Sequence, residues 1–233
     1  MQNVHWGSGN MEKTFWENDK GVIFNKYRAI ERTEIAPGIM SYENVIPKEI
    51  FETLVVDLEE GMSSAQIEWA AAQVKSGVGD KVETAVDTNS RDTQIITIPY
   101  SETEKDDYTH LKETFYTSMS NLFLENLIPL EINYQNNYSV NCSWHDSYQI
   151  LKYGVGQKFT NHVDDHPDYH RRISTLYYIN DDYEGGEINF PRFNLSFKPK
   201  ANQMIVFPST YVYNHSVSPV TSGTRYAIVS WMR

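Results

Sequence analysis

Hydrophobic positions divide the chain into a helical first part and a stranded second part. From Pro47 onward, Ile50, Phe51, Leu54, Val55 and Leu58 recur at helical spacing, with proline at the first turn, and predict an amphipathic helix. Asp57, Glu59 and Glu60 fall on its solvated face. A second pattern through Ile67, Trp69, Ala70, Ala71 and Val74 predicts a helix over Ser63–Lys75, ended by Gly77, Gly79 and Asp80. Gln94–Ile98 reads as a strand closed by Pro99, and Ser101–Asp107 as an acidic loop. The stripe Leu111, Phe115, Met119, Leu122 and Phe123 predicts the longest helix, over Tyr108–Leu127.

From Ile132 the texture changes to short runs rich in Val, Ile, Tyr and Phe: Tyr148–Tyr153, Ile173–Ile179, Glu187–Phe190, Leu195–Phe197, Gln203–Phe207, Tyr211–Tyr213 and Arg225–Trp231. Tyr183–Gly186 and Pro199–Asn202 supply turns between them. Such spacing predicts an antiparallel sandwich or barrel. The fold class is therefore α+β with a mainly β core and helices leading into it. One domain over 37–233, with its β core from about 132, is expected. Ile39–Tyr42 forms a short strand after the Pro37–Gly38 turn, and residues 1–36 read as a polar, irregular arm of the same domain.

Composition narrows the function classes. A chain of 233 residues with 40% hydrophobic and 13% aromatic positions can bury a sizeable core. Its net charge of −11 opposes nucleic-acid binding, which needs a cationic surface. The single cysteine, Cys142, forms no internal disulfide and suits a reducing compartment. No apolar run reaches membrane-spanning length, and Met1–Lys20 lacks the apolar core of a signal peptide, so a cytoplasmic protein is expected.

The candidate chemistry lies in Lys152–Asp164. His162 and Asp164 are two apart in an extended segment, so both side chains face one space. His215 is the obvious third ligand, and two histidines with one carboxylate form a set that suits non-haem Fe(II). Arg225 sits in a β run that should be buried, where a guanidinium needs an anionic partner such as a carboxylate. His162, His166 and His170 would form a zinc-binding column on a helix, but Pro167 and the surrounding aspartates make 165–171 a loop, with His166 and His170 at its rim. His145 and Asp146 are adjacent and would point to opposite strand faces, which makes them structural.

These residues resemble the 2-oxoglutarate/Fe(II) dioxygenases, in particular the prolyl 4-hydroxylase-like branch. The likeness covers roughly 37–233. It is densest in Gln149–Asp164 and continues through Ser174–Asn180, Glu184–Pro191, Phe197–Pro208 and His215, with Gly223–Arg225 and Trp231 closing it. The resemblance implies a double-stranded β-helix (a distorted jelly roll) with supporting N-terminal helices. It implies that His162, Asp164 and His215 hold Fe(II) and that Arg225 grips the tail of 2-oxoglutarate. Tyr153 and Tyr177 are implied to help hold that co-substrate, and Arg172 and Trp231 to contact substrate. Phe159 departs from the pattern, since many members have tyrosine there.

The reaction implied is hydroxylation of a prolyl residue in a peptide or protein. It uses 2-oxoglutarate and O2 as co-substrates, releases succinate and CO2, and has ascorbate as a candidate reductant. The segments 165–171 and 86–107 are the expected lids. Two other readings stay open on sequence alone: the same oxygenase chemistry on another amino-acid or small-molecule substrate, and a non-catalytic jelly-roll binding module.

Overall fold

The computed structural model of the chain describes residues 15–17, 22–25, 29–76, 83–98, 110–166 and 170–233. Its first strands are β1 (Phe15–Glu17), β2 (Val22–Asn25) and β3 (Ala29–Ala36), and β3 returns through the Pro37–Gly38 turn into β4 (Ile39–Glu43). Gly38 makes that turn with a φ of 73°, a conformation costly for other residues. The described part of the expected irregular arm is thus paired strand. Only Ile30 of β3 is fully buried, so no alternating pattern marked it in the sequence.

The helix expected from Pro47 is present in two pieces, α1 (Lys48–Phe51) and α2 (Leu54–Ser64), and α2 buries Leu54, Leu58 and Met62. The helix expected over Ser63–Lys75 is not. After Gln66, which has a left-handed φ of 54°, the chain runs into β5 (Ala70–Ala71) and β6 (Val74–Ser76). β5 borders β8 (Gln94–Ile98), and β6 forms a hairpin with β7 (Glu83–Ala85). Alanine pairs suit a helix by propensity, but here a neighbouring strand edge takes their backbone groups. Gly77, Gly79, Asp80, Pro99 and the acidic loop 101–107 lie outside the described residues.

The long helix is α3 (His110–Asn126), which buries Phe115, Met119 and Phe123. A further helix, α4 (Ile128–Tyr138), occupies the start of the expected strand region. Pro129 lies in its first turn, where its missing N–H is harmless, and Ile128, Leu130, Glu131 and Tyr134 are buried. The strands begin only at β9 (Tyr148–Tyr153).

They continue as β10 (Phe159–His162), β11 (Ile173–Tyr178), β12 (Glu184–Gly185), β13 (Ile188–Phe190), β14 (Leu195–Phe197), β15 (Gln203–Pro208), β16 (His215–Val217), β17 (Val220–Ser222) and β18 (Arg225–Met232). Tyr211–Tyr213, expected as a strand, forms a single 3-10 turn.

The main sheet has the order β1-β2-β3-β4-β15-β11-β18-β9-β8-β5, and a smaller sheet has the order β10-β16-β13-β14. Every described pairing is antiparallel within them. All six residues of β11 are buried, because both faces of the main sheet are covered. One face packs on α2, α3 and α4 through Leu54, Phe123, Tyr134 and Tyr177. The other packs on the small sheet through Leu176, Tyr178, Ile188 and Phe190. This is the mostly β, double-stranded β-helix architecture with supporting helices. The candidate site lies between its two sheets.

Candidate metal centre and its cavity

Two strands of the small sheet bring the histidines together. In the β10–β16 pair His162 is directly opposite His215, and their ring centroids lie 4.3 Å apart. The pairing shifts register between Phe159 and His162. In a regular strand those two residues would face opposite sides. The irregularity puts them on one side, where their rings stack at 3.5 Å and 13°. Asp164 follows just past the end of β10. Its Oδ1 is 3.5 Å from His162 Nε2 and its Oδ2 is 3.7 Å from His215 Nε2. One ligand atom from each residue lies within 4.8 Å of the other two, the one such cluster among the described residues.

The hydrogen bonds prepare these groups as ligands. His162 Nδ1 is 2.8 Å from the Thr160 carbonyl and His215 Nδ1 is 3.1 Å from the Tyr213 carbonyl. A carbonyl only accepts, so each Nδ1 carries the proton and each Nε2 lone pair is left for a metal. Burial, with repulsion from His162, pushes the His215 imidazole down to about 4 despite Asp164, so it is neutral at pH 7. Burial alone would raise the Asp164 carboxyl, but His215, His162 and the Ser174 hydroxyl outweigh it and hold it far below the usual carboxylate range. Ser174 donates to Asp164 Oδ2 at 2.7 Å and is itself 2.8 Å from the Ser209 hydroxyl. Two imidazoles and a carboxylate on one side of an open space fit a divalent Fe(II)-type ion.

The triad opens on a cavity of about 640 Å³ whose lining includes Tyr153, Leu176, Arg225 and Trp231. Arg225 starts β18 opposite Tyr153 and is only 1% exposed. Its guanidinium lies 4.8 Å from the Tyr153 ring centroid and 5.2 Å from that of Tyr178. Its Nε and Nη1 make no hydrogen bond of good geometry, and neither do the hydroxyls of Tyr178 and Tyr183, although both lie close enough to interact with it. A buried cation with open donors is a costly arrangement unless an anion completes it. A carboxylate fits, since it can accept a charge-assisted hydrogen bond from an open donor of the guanidinium.

His162, Asp164, His215, Arg225, Tyr153 and Trp231 therefore converge. Tyr177 and Arg172 do not. Along β11 alternate residues face opposite sides: Ser174, Leu176 and Tyr178 face the cavity side, while Tyr177 points toward the helices and donates to Asn202 Oδ1 at 3.0 Å. Tyr178 is the tyrosine beside Arg225. Arg172 is exposed and donates to the Asn141 carbonyl, whereas Arg171 lines the cavity. The Arg171 guanidinium stacks 3.5 Å from the Trp231 ring centroid and its Nε donates to Asp146 at 3.2 Å. Strand geometry begins only at Ile173, so the alternation of β11 could not be extended back to choose between the two arginines.

Arg91 also lines the cavity and was not singled out by sequence; a polar loop arginine carries no periodic signal. His166 lines the cavity as well, and the His170 side chain is exposed. His145 is buried away from it, with Nε2 3.0 Å from Glu131 Oε2. Of the two expected lids, residues 167–169 and 99–107 lie outside the described residues.

Comparison with known proteins agrees with this geometry. Residues 148–233 match the model of the 2OG-Fe(II) oxygenase superfamily. Human prolyl 3-hydroxylase 2 is 42% identical over 66 residues, which is 26% of this chain and 9% of that protein. The chain spans less than half the length of the curated relatives it matches, from 9% to 41%. A Trichoplax adhaerens prolyl hydroxylase, solved with a hypoxia inducible factor peptide fragment, superposes with a TM-score of 0.61 at 18% identity, covering 84% of this chain and 83% of that one. A Pseudomonas putida prolyl-4-hydroxylase superposes with a TM-score of 0.55 at 17% identity, covering 84% and 92%. At such identities the superpositions establish the fold. Residues 148–233 are thus similar to the 2OG-Fe(II) oxygenase superfamily, and the His162–Asp164–His215 cluster fits the Fe(II) that the name of that superfamily specifies.

Proposed function

We propose that the chain hydroxylates a prolyl residue of a peptide or protein, at C4, in an Fe(II)- and 2-oxoglutarate-dependent reaction. The observation that carries this reading is Arg225, a fully buried guanidinium with unpartnered Nε and Nη1 in the cavity that holds the His162–Asp164–His215 cluster. Arg225 binds the distal carboxylate of 2-oxoglutarate. Tyr178 and Tyr183, whose hydroxyls burial keeps protonated, donate to that ligand. Bound Fe(II) with 2-oxoglutarate supplies the oxidising chemistry, releasing succinate and CO2. The chain's own share is orientation and exclusion of water, through Leu176, Trp231 and the ring of Tyr153.

The peptide class is supported by relatives whose names specify prolyl hydroxylation and by the peptide held in the Trichoplax structure. Those names divide between 3- and 4-hydroxylation, so product analysis is part of the test. The net charge of −11 disfavours nucleic acid as substrate, and the lone Cys142 favours a reducing, cytoplasmic setting. No helix among the described residues is long and apolar enough to cross a membrane.

The test is succinate release from 2-oxoglutarate with Fe(II) and proline-containing peptides, followed by mass spectrometry and amino-acid analysis of the peptide. Hydroxyproline that disappears in His162→Ala supports the reading. Absence of 2-oxoglutarate turnover from metal-loaded protein, with or without peptide, refutes it.

A further inference from the structure

The cavity carries a second, half-buried guanidinium that this chemistry leaves unused. Arg91 sits between the polar loop after β7 and the start of β8, bridged to Phe159 of β10. Its guanidinium lies 5.0 Å from the Phe159 ring centroid, and the same ring stacks on His162 at 3.5 Å. Arg91, Phe159 and His162 thus form a stacked series leading to the metal cluster.

Its polar contacts are weak. Nη1 donates to the Gln73 carbonyl at 3.3 Å and Nη2 to Gln149 Oε1 at 3.5 Å, both neutral acceptors, while Nε is buried without a partner. Among the described residues no carboxylate forms an ion pair with it, whereas Arg171 and Arg233 both have Asp146. Among the described residues lining the cavity, Asp164 and Asp165 are the carboxylates, against three arginines. Asp164 belongs to the metal cluster, and Asp165 lies 3.5 Å from His170. In a chain of net charge −11, the described lining thus carries more arginine than carboxylate.

We infer that Arg91 is an anion subsite for the substrate, so that the peptide taken by this cavity carries a carboxylate side chain close to the residue that is oxidised. The inference rests on reading the cavity as a hydroxylase site. A partly desolvated guanidinium with only neutral partners discriminates strongly between a carboxylate and its neutral isostere, because only the carboxylate offsets the loss of hydration. Phe159 forms an apolar side to the subsite. A tyrosine at that position would bring a hydroxyl that Phe159 does not have.

The test uses the full chain loaded with Mn(II), and capped, fluorescein-labelled peptides with a central proline. A single glutamate or glutamine is placed at each flanking position in turn, and affinity is read by fluorescence anisotropy. At one position the glutamate peptide should bind on the order of tenfold more tightly than its glutamine twin, as a charge-assisted bond exceeds a neutral one. That gap should narrow with added salt, close in Arg91→Gln and persist in part in Arg91→Lys.

Equal affinities within every pair in the native protein, including no measurable binding of either peptide, overturn the inference. So does a gap that survives in a folded Arg91→Gln variant. Turnover of 2-oxoglutarate is measured separately. A glutamate preference without turnover upholds the anion subsite and sinks the hydroxylase reading, whereas turnover without the preference does the reverse.

Discussion

Tyr177 and Tyr178 are neighbours on β11, yet one faces the helices and the other the guanidinium of Arg225. Replacing Tyr178 by phenylalanine removes one donor beside Arg225, where we propose that 2-oxoglutarate binds. It should raise KM for 2-oxoglutarate about three- to tenfold, as one hydrogen bond contributes about 0.5–1.5 kcal/mol. Tyr177→Phe removes the bond to Asn202 instead, and should leave that KM unchanged while costing about 1 kcal/mol in urea unfolding. Steady-state kinetics and denaturation of the two variants side by side check both statements. Cys142 is another residue whose surroundings set its chemistry. Burial, opposed by Arg172, pushes its thiol up to about 11. Little thiolate exists at neutral pH, so alkylation of the native protein should be slow and should climb about tenfold per pH unit toward that value.

Among elements, the turn after β12 ties the backbone directly to the cavity. Gly186 has a φ of 66°, and a Cβ built there would approach Arg225 Cδ and Tyr183 Cε2 to 3.0 Å each. Gly186→Ala should therefore raise KM for 2-oxoglutarate by displacing Arg225, and lower stability by about 1–2 kcal/mol through backbone strain. Elsewhere, α2 is fastened to the main sheet by Glu59, which accepts from Lys152 of β9 at 2.7 Å and from the Tyr226 hydroxyl of β18. Burial would raise the Glu59 carboxyl, but Lys152, Tyr226 and Trp69 together bring it below its ordinary 4.5. The folded state thus favours the charged form. Its stabilising effect is present above pH 4.5 and fades as pH falls below that value. The melting temperature of the native protein should exceed that of Glu59→Gln at neutral pH, and the difference should vanish on acidification.

At the scale of the whole molecule, the metal cluster joins the end of β10 to β16, and Ser174 of β11 extends it into the main sheet. A ligand that binds only this folded arrangement stabilises it by mass action. Mn(II) at one hundred times its dissociation constant should stabilise the chain by about 2.7 kcal/mol. That corresponds to a rise of roughly 5–10 °C in melting temperature for a chain of this size. In His162→Ala the rise at the same Mn(II) concentration should be largely lost. Differential scanning fluorimetry with and without Mn(II) measures both.

Sequence alone determined the features that depend on local periodicity and residue type. The i, i+2 spacing of His162 and Asp164, the helices from Pro47 and over 110–126, and the run of short strands from Tyr148 all follow from it. So did the expectation that a buried Arg225 seeks an anion, because a guanidinium cannot shed its charge. Tertiary structure decided everything that turns on which side of an element a group faces or which backbone it meets. Ala70 and Ala71 became strand because β8 offered an edge, and α4 formed because both sides of the main sheet needed cover. The choice of Tyr178 over Tyr177 and of Arg171 over Arg172 needed the starting point of β11, which no single segment encodes. The approach of Arg91 through Phe159 to His162 needed a loop and the distant strand β10 brought together. Patterns of residues specify faces of elements; only packing specifies what each face meets.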